Sequence, residues 1–276
     1  MAFFLILLGT LSSEISNSIG KLAVARKQET LYSMGFIAMF WSSILFIGLI
    51  LFGAEFRFSA DSLPFFLPRV VLELILAHIA IKSVIVADRT TVSFLRMTTI
   101  PLLLMVDIII GYEIMPHQIY GIGLLLIALA IIFWKNPSGQ KGAGIVLLGA
   151  ILAVATTSLF KYNITLHNSV AAEQAIISIV LLSYFLIFSM VKFNEKPWTL
   201  LRHPYAQAQS ISHGVAGLLI SFAYLYAPAS VIISLKRSLA VFWATISGNT
   251  VFHERHIVRK IISFLVATIG IVLLTQ

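Results

Sequence analysis

The sequence predicts an all-α polytopic membrane protein with ten transmembrane helices, arranged as two inverted five-helix repeats. The first indication is composition, since 59% of the 276 residues are hydrophobic, only 11% are charged and the mean hydropathy is +0.98. A soluble domain usually carries about 25% charged residues because its surface must be wetted. The net charge of +8 is small beside the apolar bulk, so we expect basic residues that flank membrane spans and no nucleic-acid partner.

The second indication is a series of apolar runs, each long enough to cross about 30 Å of hydrocarbon. They are too uniformly apolar for outer-membrane strands, which alternate at every second residue. Helices satisfy their own backbone hydrogen bonds in lipid, so each run is predicted to be a helix. The ten predicted spans are 2–20, 32–53, 66–87, 91–110, 117–134, 143–162, 171–192, 209–227, 229–251 and 257–274.

The segments outside these spans are short. The longest connections, around Gly53–Pro64 and Phe193–Pro204, are too short to fold alone. The apolar start at Met1–Gly9 lacks a basic segment and a small-residue cleavage site, so we expect a mature helix rather than a signal peptide. The chain has no cysteine, which excludes disulfides and thiolate metal ligands or nucleophiles.

The third indication is an internal repeat. When the chain is aligned with itself at one constant offset, Ser93 matches Ser234, Arg96 matches Arg237 and Glu113 matches Glu254. Nearer the N-terminus, an offset shorter by one residue matches Gly9 with Gly149, Ser18 with Ser158 and Lys21 with Lys161. The predicted units are residues 1–135 and 142–276, with a hinge near Lys135–Lys141. Five crossings per unit force the copies into opposite orientations, which is the plan of many secondary transporters.

The orientation in the membrane follows from the basic residues. These lie mainly in or beside the connections after odd-numbered spans, for example Lys27, Arg89, Lys196 and Arg255, whereas the other side has little beyond Arg57 and Arg69. The positive-inside rule therefore predicts that the connections after odd-numbered spans are cytoplasmic and that both termini are outside.

Glu14 is the main candidate for a functional group. A charge inside a span costs roughly 3 kcal/mol or more, so each one is a functional-site candidate. Asn17, Ser18 and Lys21 follow Glu14 at intervals of three, four and seven residues, which lays a polar stripe along one helix face. Glu14 could bind a proton or a cation there, or form a structural ion pair with Lys21. Lys161 continues the stripe in the second unit, where Val154 matches Glu14.

Arg96, Lys236 and Arg237 form a second candidate group. Arg96 and Arg237 occupy equivalent places in the two repeats, so a pseudo-twofold axis could bring them to one cavity. Guanidinium groups suit carboxylates and phosphates. The alternative is that these side chains extend from helix ends to the membrane interface.

Several other polar residues have weaker claims. His78 and Lys82 share a helix face, and Tyr224 lies next to the polar helices, so these three are further candidates for lining a cavity. Asp107 has no acidic counterpart in the second unit. Glu113 and Glu254 stand before apolar helices, where a carboxylate caps free backbone N–H groups. No motif indicates a metal site, a cofactor or an enzyme, and no phosphate-binding loop for ATP is present.

Two segments resemble a known family. The stretches Phe94–Phe133 and Ser234–Leu274 resemble the signature helix pairs of EamA-type transporters of the drug/metabolite transporter superfamily, with G-Y-E-I-M-P-H-Q-I-Y-G-I-G at Gly111–Gly123. The first helix, with L-G-T-L-S-S-E at Leu8–Glu14, resembles that of the small multidrug resistance family. The second resemblance implies that Glu14 is a shared proton and substrate site. Ten-helix members of the superfamily generally place both termini in the cytoplasm, opposite to the charge rule.

The expected function is secondary transport of a small organic metabolite, such as an amino acid, by alternating access. Export, proton coupling and a bacterial or archaeal plasma membrane are expected, whereas the oligomeric state is left open. Leu235–Arg237 is similar to the basic pair of sugar-phosphate transporters, so one alternative is an organic-anion exchanger that uses Lys236 and Arg237. Another is a multidrug cation exporter that uses Glu14.

Overall fold

The computed structural model describes residues 1–109, 115–133, 142–226, 229–253 and 257–275, and these residues form an all-helical protein without strands. Within them lie eleven α-helices: α1 (Ala2–Ala25), α2 (Leu31–Leu51), α3 (Leu63–Val86), α4 (Arg89–Arg96), α5 (Thr99–Ile109), α6 (Pro116–Phe133), α7 (Ala143–Leu166), α8 (Val170–Phe193), α9 (Pro204–Ala223), α10 (Ala229–Thr250) and α11 (Ile257–Thr275). Short 3-10 segments precede α3 and α9, at Ala60–Ser62 and Pro197–Arg202. The predicted hinge at Lys135–Lys141 lies outside the described residues.

The composition of the helices fits a membrane protein. Four helices of the described residues, α1, α2, α7 and α8, are each long and apolar enough to cross a membrane. Large apolar side chains also lie on the outside of the bundle, where Leu51 is 79% and Val191 82% exposed. Such exposure is costly in water but not in hydrocarbon, so lipid is the solvent that suits this surface.

The fourth predicted span is two helices instead of one. α4 ends at Arg96 and α5 begins at Thr99, and the amides of Met97 and Thr98 bond to carbonyls three residues back. The cause is Pro101, whose ring lacks an N–H and clashes with the carbonyl four residues earlier, that of Met97. The shift that pairs Arg96 with Arg237 also pairs Pro101 with Phe242, and α10 is continuous there.

Corresponding helices of the two units pack in corresponding ways. α1 packs on α9 and α10, while α7 packs on α3 and α4. A Cβ on Gly9 would stand 2.7 Å from the Ile220 side chain, and one on Gly149 would stand 3.2 Å from that of Ile79. A glycine at the equivalent position of each unit therefore lets the helix approach its partner closely.

Two helix pairs run antiparallel. In the pair α6 and α11, Ser263 donates to the carbonyl of Ala128, while Gly270 lies against the carbonyl of Gly121. In the pair α2 and α8, Gly35 lies against the ring of Phe185, while Tyr32 stacks on Phe188. One member of each pair advances along the chain as the other retreats, so the two helices of a pair point in opposite directions.

The bundle has two ends that differ in their connections. At the end we call the Glu29 face, segment 26–30 meets segment 194–203, and the Thr30 hydroxyl donates to Glu195 at 2.8 Å. At the end we call the Arg57 face, segment 52–62 meets segment 167–169. There the Ser169 amide donates to the carbonyl of Arg57 at 2.8 Å, and the Ser59 amide donates to Asn168 at 3.0 Å.

Candidate functional site: a charged central cavity

A small cavity of about 50 Å³ lies between α1, α4, α9 and α10. Its lining includes Glu14 and Asn17 from α1, Arg96 from α4, and Lys236 and Arg237 from α10. The break that Pro101 causes lies directly after Arg96, so this residue stands at the end of a short helix. The cavity therefore joins two helices of the first unit to helices of the second.

Glu14 forms one wall of this cavity. Its side chain is only 7% exposed, and its carboxylate accepts hydrogen bonds from Ser18, one turn along α1, and from Ser247 on α10. Ser247 lies 233 residues away in the chain, so this bond ties the first helix to the second unit. A buried carboxylate held by two hydroxyl donors is fixed in position and can attract a cationic group in the cavity.

Basic side chains line the same cavity. Arg237 donates from its Nε to the Thr99 hydroxyl at 3.0 Å, which fixes the guanidinium beside the gap between α4 and α5. Nη2 of Arg96 lies 3.5 Å from the hydroxyl of Ser83 on α3. With Lys236, three basic side chains line the cavity together with the Glu14 carboxylate. The arrangement can bind a group that is anionic, or one that carries both charges.

A second cavity of about 140 Å³ adjoins the first. The two share Ser13, Asn17 and Arg96, and the second extends between α1, α2, α3 and α9, where Gln209 and His213 line it. These two residues lie in the half of α9 nearer the Glu29 face. A buried water occupies about 10 to 15 Å³ of cavity volume. The central cavity therefore has room for only a few waters, and the second cavity has room for more.

A buried ionic cluster lies towards the Arg57 face. Arg69 on α3 is 2% exposed and forms an ion pair with Glu173 on α8, which is fully buried. Asn163 on α7 donates to the same carboxylate oxygen at 2.9 Å, and the Arg69 guanidinium stacks on the Phe160 ring at 4.6 Å. We call Arg69, Asn163 and Glu173 the Arg69 cluster. It ties three helices together at this end.

Glu73 extends this cluster towards the central cavity. Its carboxylate lies 3.9 Å from Arg69, one turn earlier on α3, and it also feels the charge of Lys236. Alternating charges therefore run from Glu173 through Arg69 and Glu73 to Lys236.

The remaining predicted site residues lie elsewhere. Lys21 donates to the carbonyl of Ala87, the C-cap of α3, at 2.7 Å, and Lys161 donates to the carbonyl of Tyr224, the C-cap of α9, at 3.0 Å. Both lysines therefore stabilise helix C-termini. Ser18 reaches the site through its bond to Glu14.

The weaker candidates have other surroundings. The ring of Tyr224 is buried against Phe160, His78 lies 3.4 Å from the hydroxyl of Tyr184, and Lys82 is exposed. The lining described for the central cavity contains none of these three. Glu113, Glu254 and the side chain of Asp107 lie outside the described residues.

The sequence patterns predicted no site role for several residues of these sites. The charge rule places Arg69 near one membrane surface, and it assigns no role to Glu173, Asn163 or Gln209. The opposite charges of Arg69 and Glu173 inside two predicted spans were an available signal, because charges in lipid are expected to pair. Glu29 and Ser247 gave no signal, because each meets its partner only through the tertiary fold.

Comparison with known proteins leaves the family open. No protein-family model matches the chain, and no curated protein matches its sequence. Among the described residues, no three His, Asp or Glu side chains come together as a set that could hold a metal ion.

Proposed function

We propose that the protein is a secondary transporter that moves a small organic metabolite across a bacterial or archaeal plasma membrane by alternating access. It would consist of ten transmembrane helices in two inverted repeats, with α4 and α5 together forming one crossing. The observation that carries the proposal is the central cavity, which is lined by Glu14 together with Arg96, Lys236 and Arg237. The resemblance to EamA-type transporters agrees with this proposal.

The two equivalent lysines support an inverted repeat. Lys21 and Lys161 match in the sequence repeat, and each caps the C-terminus of the third helix of its own unit, α3 or α9. The antiparallel pairs α6 with α11 and α2 with α8 add to this support, because each joins a helix to its counterpart in the other unit. Equivalent helices related by a twofold axis in the membrane plane run in opposite directions.

The charges of the central cavity favour a zwitterion or an anion as the cargo. An amino acid would place its carboxylate on the guanidinium groups and its ammonium near Glu14. The second candidate is organic-anion exchange, which the excess of three cationic side chains over one carboxylate favours. A multidrug cation exporter is less well supported, since a cation at Glu14 would be repelled by the same three groups.

The difference between the two ends supports alternating access. The second cavity leads from the central one towards the Glu29 face, while the Arg69 cluster joins α3, α7 and α8 towards the Arg57 face. The central cavity is too small for an amino acid, so cargo would also occupy the second cavity or require the helices to separate. The structure would then correspond to a state sealed at the Arg57 face.

A ligand survey followed by transport tests the proposal. Purified wild-type protein is heated with amino acids, with sugar phosphates and with tetraphenylphosphonium, and a ligand that raises the melting temperature is tested for uptake into proteoliposomes. A zwitterionic cargo should lose about tenfold or more in affinity with Glu14→Gln and also with Arg237→Gln, because each removes one charge-assisted contact. An anion should respond to Arg237→Gln alone, and a cation to Glu14→Gln alone.

The matched control is Glu55→Gln, which removes a carboxylate that is 70% exposed on the Arg57 face. Binding and uptake should be unchanged in this variant. Absence of binding and uptake for all three ligand classes, in protein that is folded, would contradict the transporter proposal.

A further inference from the structure

Two buried polar side chains near the Glu29 face, Glu29 and Gln209, have only a weak contact with each other. Glu29, in the connection between α1 and α2, is 5% exposed, and its carboxylate makes no close hydrogen bond beyond this contact. Gln209 on α9 is fully buried, and its amide has no other hydrogen-bond partner among the described residues. Burying such groups unpaired costs roughly 1 to 3 kcal/mol each, so a structure retains them where water or a ligand completes them.

The two side chains are neighbours, and their surroundings are mainly uncharged. The amide of Gln209 lies beside the carboxylate of Glu29 on one side and against Gly20 of α1 on the other, where an added Cβ would stand 2.9 Å from its nitrogen. Tyr205, one turn before Gln209 on α9, also faces Glu29. Glycine at position 20 therefore leaves room for the buried amide.

Charged groups near Glu29 lie on its outer side. Lys27, Glu195 and Lys196 line a surface cavity of about 220 Å³ together with Glu29. Glu195 is held by the hydroxyls of Thr30 and Ser189, whereas Glu29 has no such donors. Burial raises the pKa of Glu29 from 4.5 to about 7, although contact with Gln209 opposes part of this shift. Glu29 therefore lies at the inner edge of a surface cavity, with its pKa raised to about 7.

Polar side chains lie between Glu29 and Glu14, beginning with Gln209, which contacts Glu29. Gln209 and His213 line the 140 Å³ cavity, and Asn17 and Ser13 line both this cavity and the central one that contains Glu14. The charge of Lys236 reaches His213 from α10. The volume and the unpaired amide suit a chain of waters, because a buried water needs two to four polar partners. Protons move along such chains, whereas an amide alone can only hold the waters in place.

We propose that Glu29 takes up protons from the medium at the Glu29 face and passes them, through waters held by Gln209, His213 and Asn17, to the carboxylate of Glu14. In this step a proton leaves water for an oxygen of Glu29 and then, by relay, forms an O–H bond on Glu14, leaving Glu29 ionised again. The inference rests on the proposed transport function, for which it names the coupling ion and its path. The Arg69 cluster would keep this path from continuing to the Arg57 face.

Infrared difference spectroscopy of the purified protein tests the path without a transported solute. Titration between about pH 5 and pH 8.5 should show a carboxyl band that disappears near neutral pH and that is missing in Glu29→Gln. Glu29→Asp should retain a titrating carboxyl, and Glu55→Gln should leave the band unchanged. A wild-type band that persists in Glu29→Gln would overturn the assignment of Glu29.

The second measurement follows deuterium exchange of the Glu14 carboxyl, at an acidic pH where a protonated-carboxyl band that is absent in Glu14→Gln is observed. Exchange should slow by about tenfold or more in Glu29→Gln and in Gln209→Leu, because each removes a group that holds the relay. Unchanged exchange in folded variants would overturn the path. Saturable displacement of the Glu29 proton by Na⁺ would also overturn it, because the site would then bind a metal cation.

These measurements separate the two proposals. If the bands behave as expected while no ligand is transported, the proton path stands and the transport proposal fails. If the wild type transports a ligand but Glu29→Gln leaves the titration and the exchange unchanged, transport stands and the proton path fails.

Discussion

The two ends of the bundle have different side chains at positions that the sequence repeat makes equivalent. Arg69 on α3 and Gln209 on α9 occupy equivalent positions, related by the same shift that relates Lys21 to Lys161. Arg69 is ion-paired with Glu173, whereas Gln209 lies beside Glu29 with its amide unpaired. One end is therefore joined by an ion pair, while the other contains a neutral amide beside a buried carboxyl group whose pKa is raised to about 7. A difference in side chains at one pair of equivalent positions is enough to make the two ends unequal.

The physical basis of this difference is the cost of burying charge. A buried ion pair gains little net stability, because desolvation offsets the attraction, but removing one partner leaves an uncompensated charge in the interior. The helices that the Arg69 cluster joins can therefore separate only if water solvates Arg69 and Glu173 at the same time. An unpaired glutamine and a protonated glutamate carry no such penalty, so the Glu29 face is the end that we expect to hydrate more easily.

The largest effect should come from breaking the Arg69 cluster. Glu173→Gln leaves the buried Arg69 guanidinium with Glu73, at 3.9 Å, as its remaining carboxylate partner, and we expect the free energy of unfolding to fall by about 3 kcal/mol. Chemical unfolding in detergent measures this loss. Glu55→Gln is the control, since it breaks an ion pair at 3.8 Å whose side chains are more than half exposed, and its effect should stay below about 1 kcal/mol.

A double variant sharpens this test. Replacing both charges, with Arg69→Met and Glu173→Leu, should recover part of the stability that Glu173→Gln loses, because the Glu73 carboxylate that loses Arg69 is 21% exposed and still lies near Lys236. Equal losses in Glu173→Gln and Glu55→Gln would show that the buried pair does not join this end of the bundle.

A similar effect should come from pH at the Glu29 face. Because the pKa of Glu29 is raised to about 7, the folded protein binds this proton more tightly than the unfolded chain does. Its contribution to stability is therefore complete below about pH 4.5 and is lost as the pH rises through 7, by about 3 kcal/mol in all. Unfolding measured at a series of pH values should show this decline in the wild type.

Glu29→Gln should remove this part of the pH dependence, because an amide does not titrate. Glu55→Gln should retain it. A wild-type stability that increases between pH 5 and pH 7, or a slope that is identical in Glu29→Gln, would contradict the role of Glu29.

The smallest effect should come from the two equivalent lysines. Lys21→Met and Lys161→Met keep the length of the side chain but remove the donor to a C-cap carbonyl, and each should cost about 1 to 2 kcal/mol. The loss at Lys21 should be slightly larger, since its ammonium also lies 5.1 Å from the centre of the Phe252 ring. Chemical unfolding measures both, with the exposed Lys82→Met as the unaffected control. A loss confined to one lysine would contradict the equivalence of the units.

Much of the fold was predictable because it depends on local patterns. Each predicted span overlaps a helix of the structure, as with the predicted span 143–162 and α7 at Ala143–Leu166. The exception is predicted span 91–110, which the structure divides into two helices and whose sequence contains a local signal for this break. Pro101 lies inside this span, and a proline there predicts the break that separates α4 from α5.

The candidate site was predictable only in part. Glu14, Arg96 and Arg237 stood out because a charge in a span is rare, and the structure brings these three to one cavity. The same rule predicted Lys21 and Lys161 to be site residues, but they donate to C-cap carbonyls at opposite ends of the bundle. A rule based on charge identifies residues that need a partner, but it does not say whether the partner is a ligand or the backbone.

The sequence by itself determined that the chain is helical and suited to lipid, because helix formation depends on near neighbours in the chain and on apolar composition. Only the tertiary structure decided which polar groups meet. Arg69 meets Glu173 across 104 residues, Glu14 meets Ser247 across 233, and Glu29 meets the buried amide of Gln209 on α9. Such pairings depend on how helix surfaces pack, and therefore on contacts between residues that are far apart in the chain.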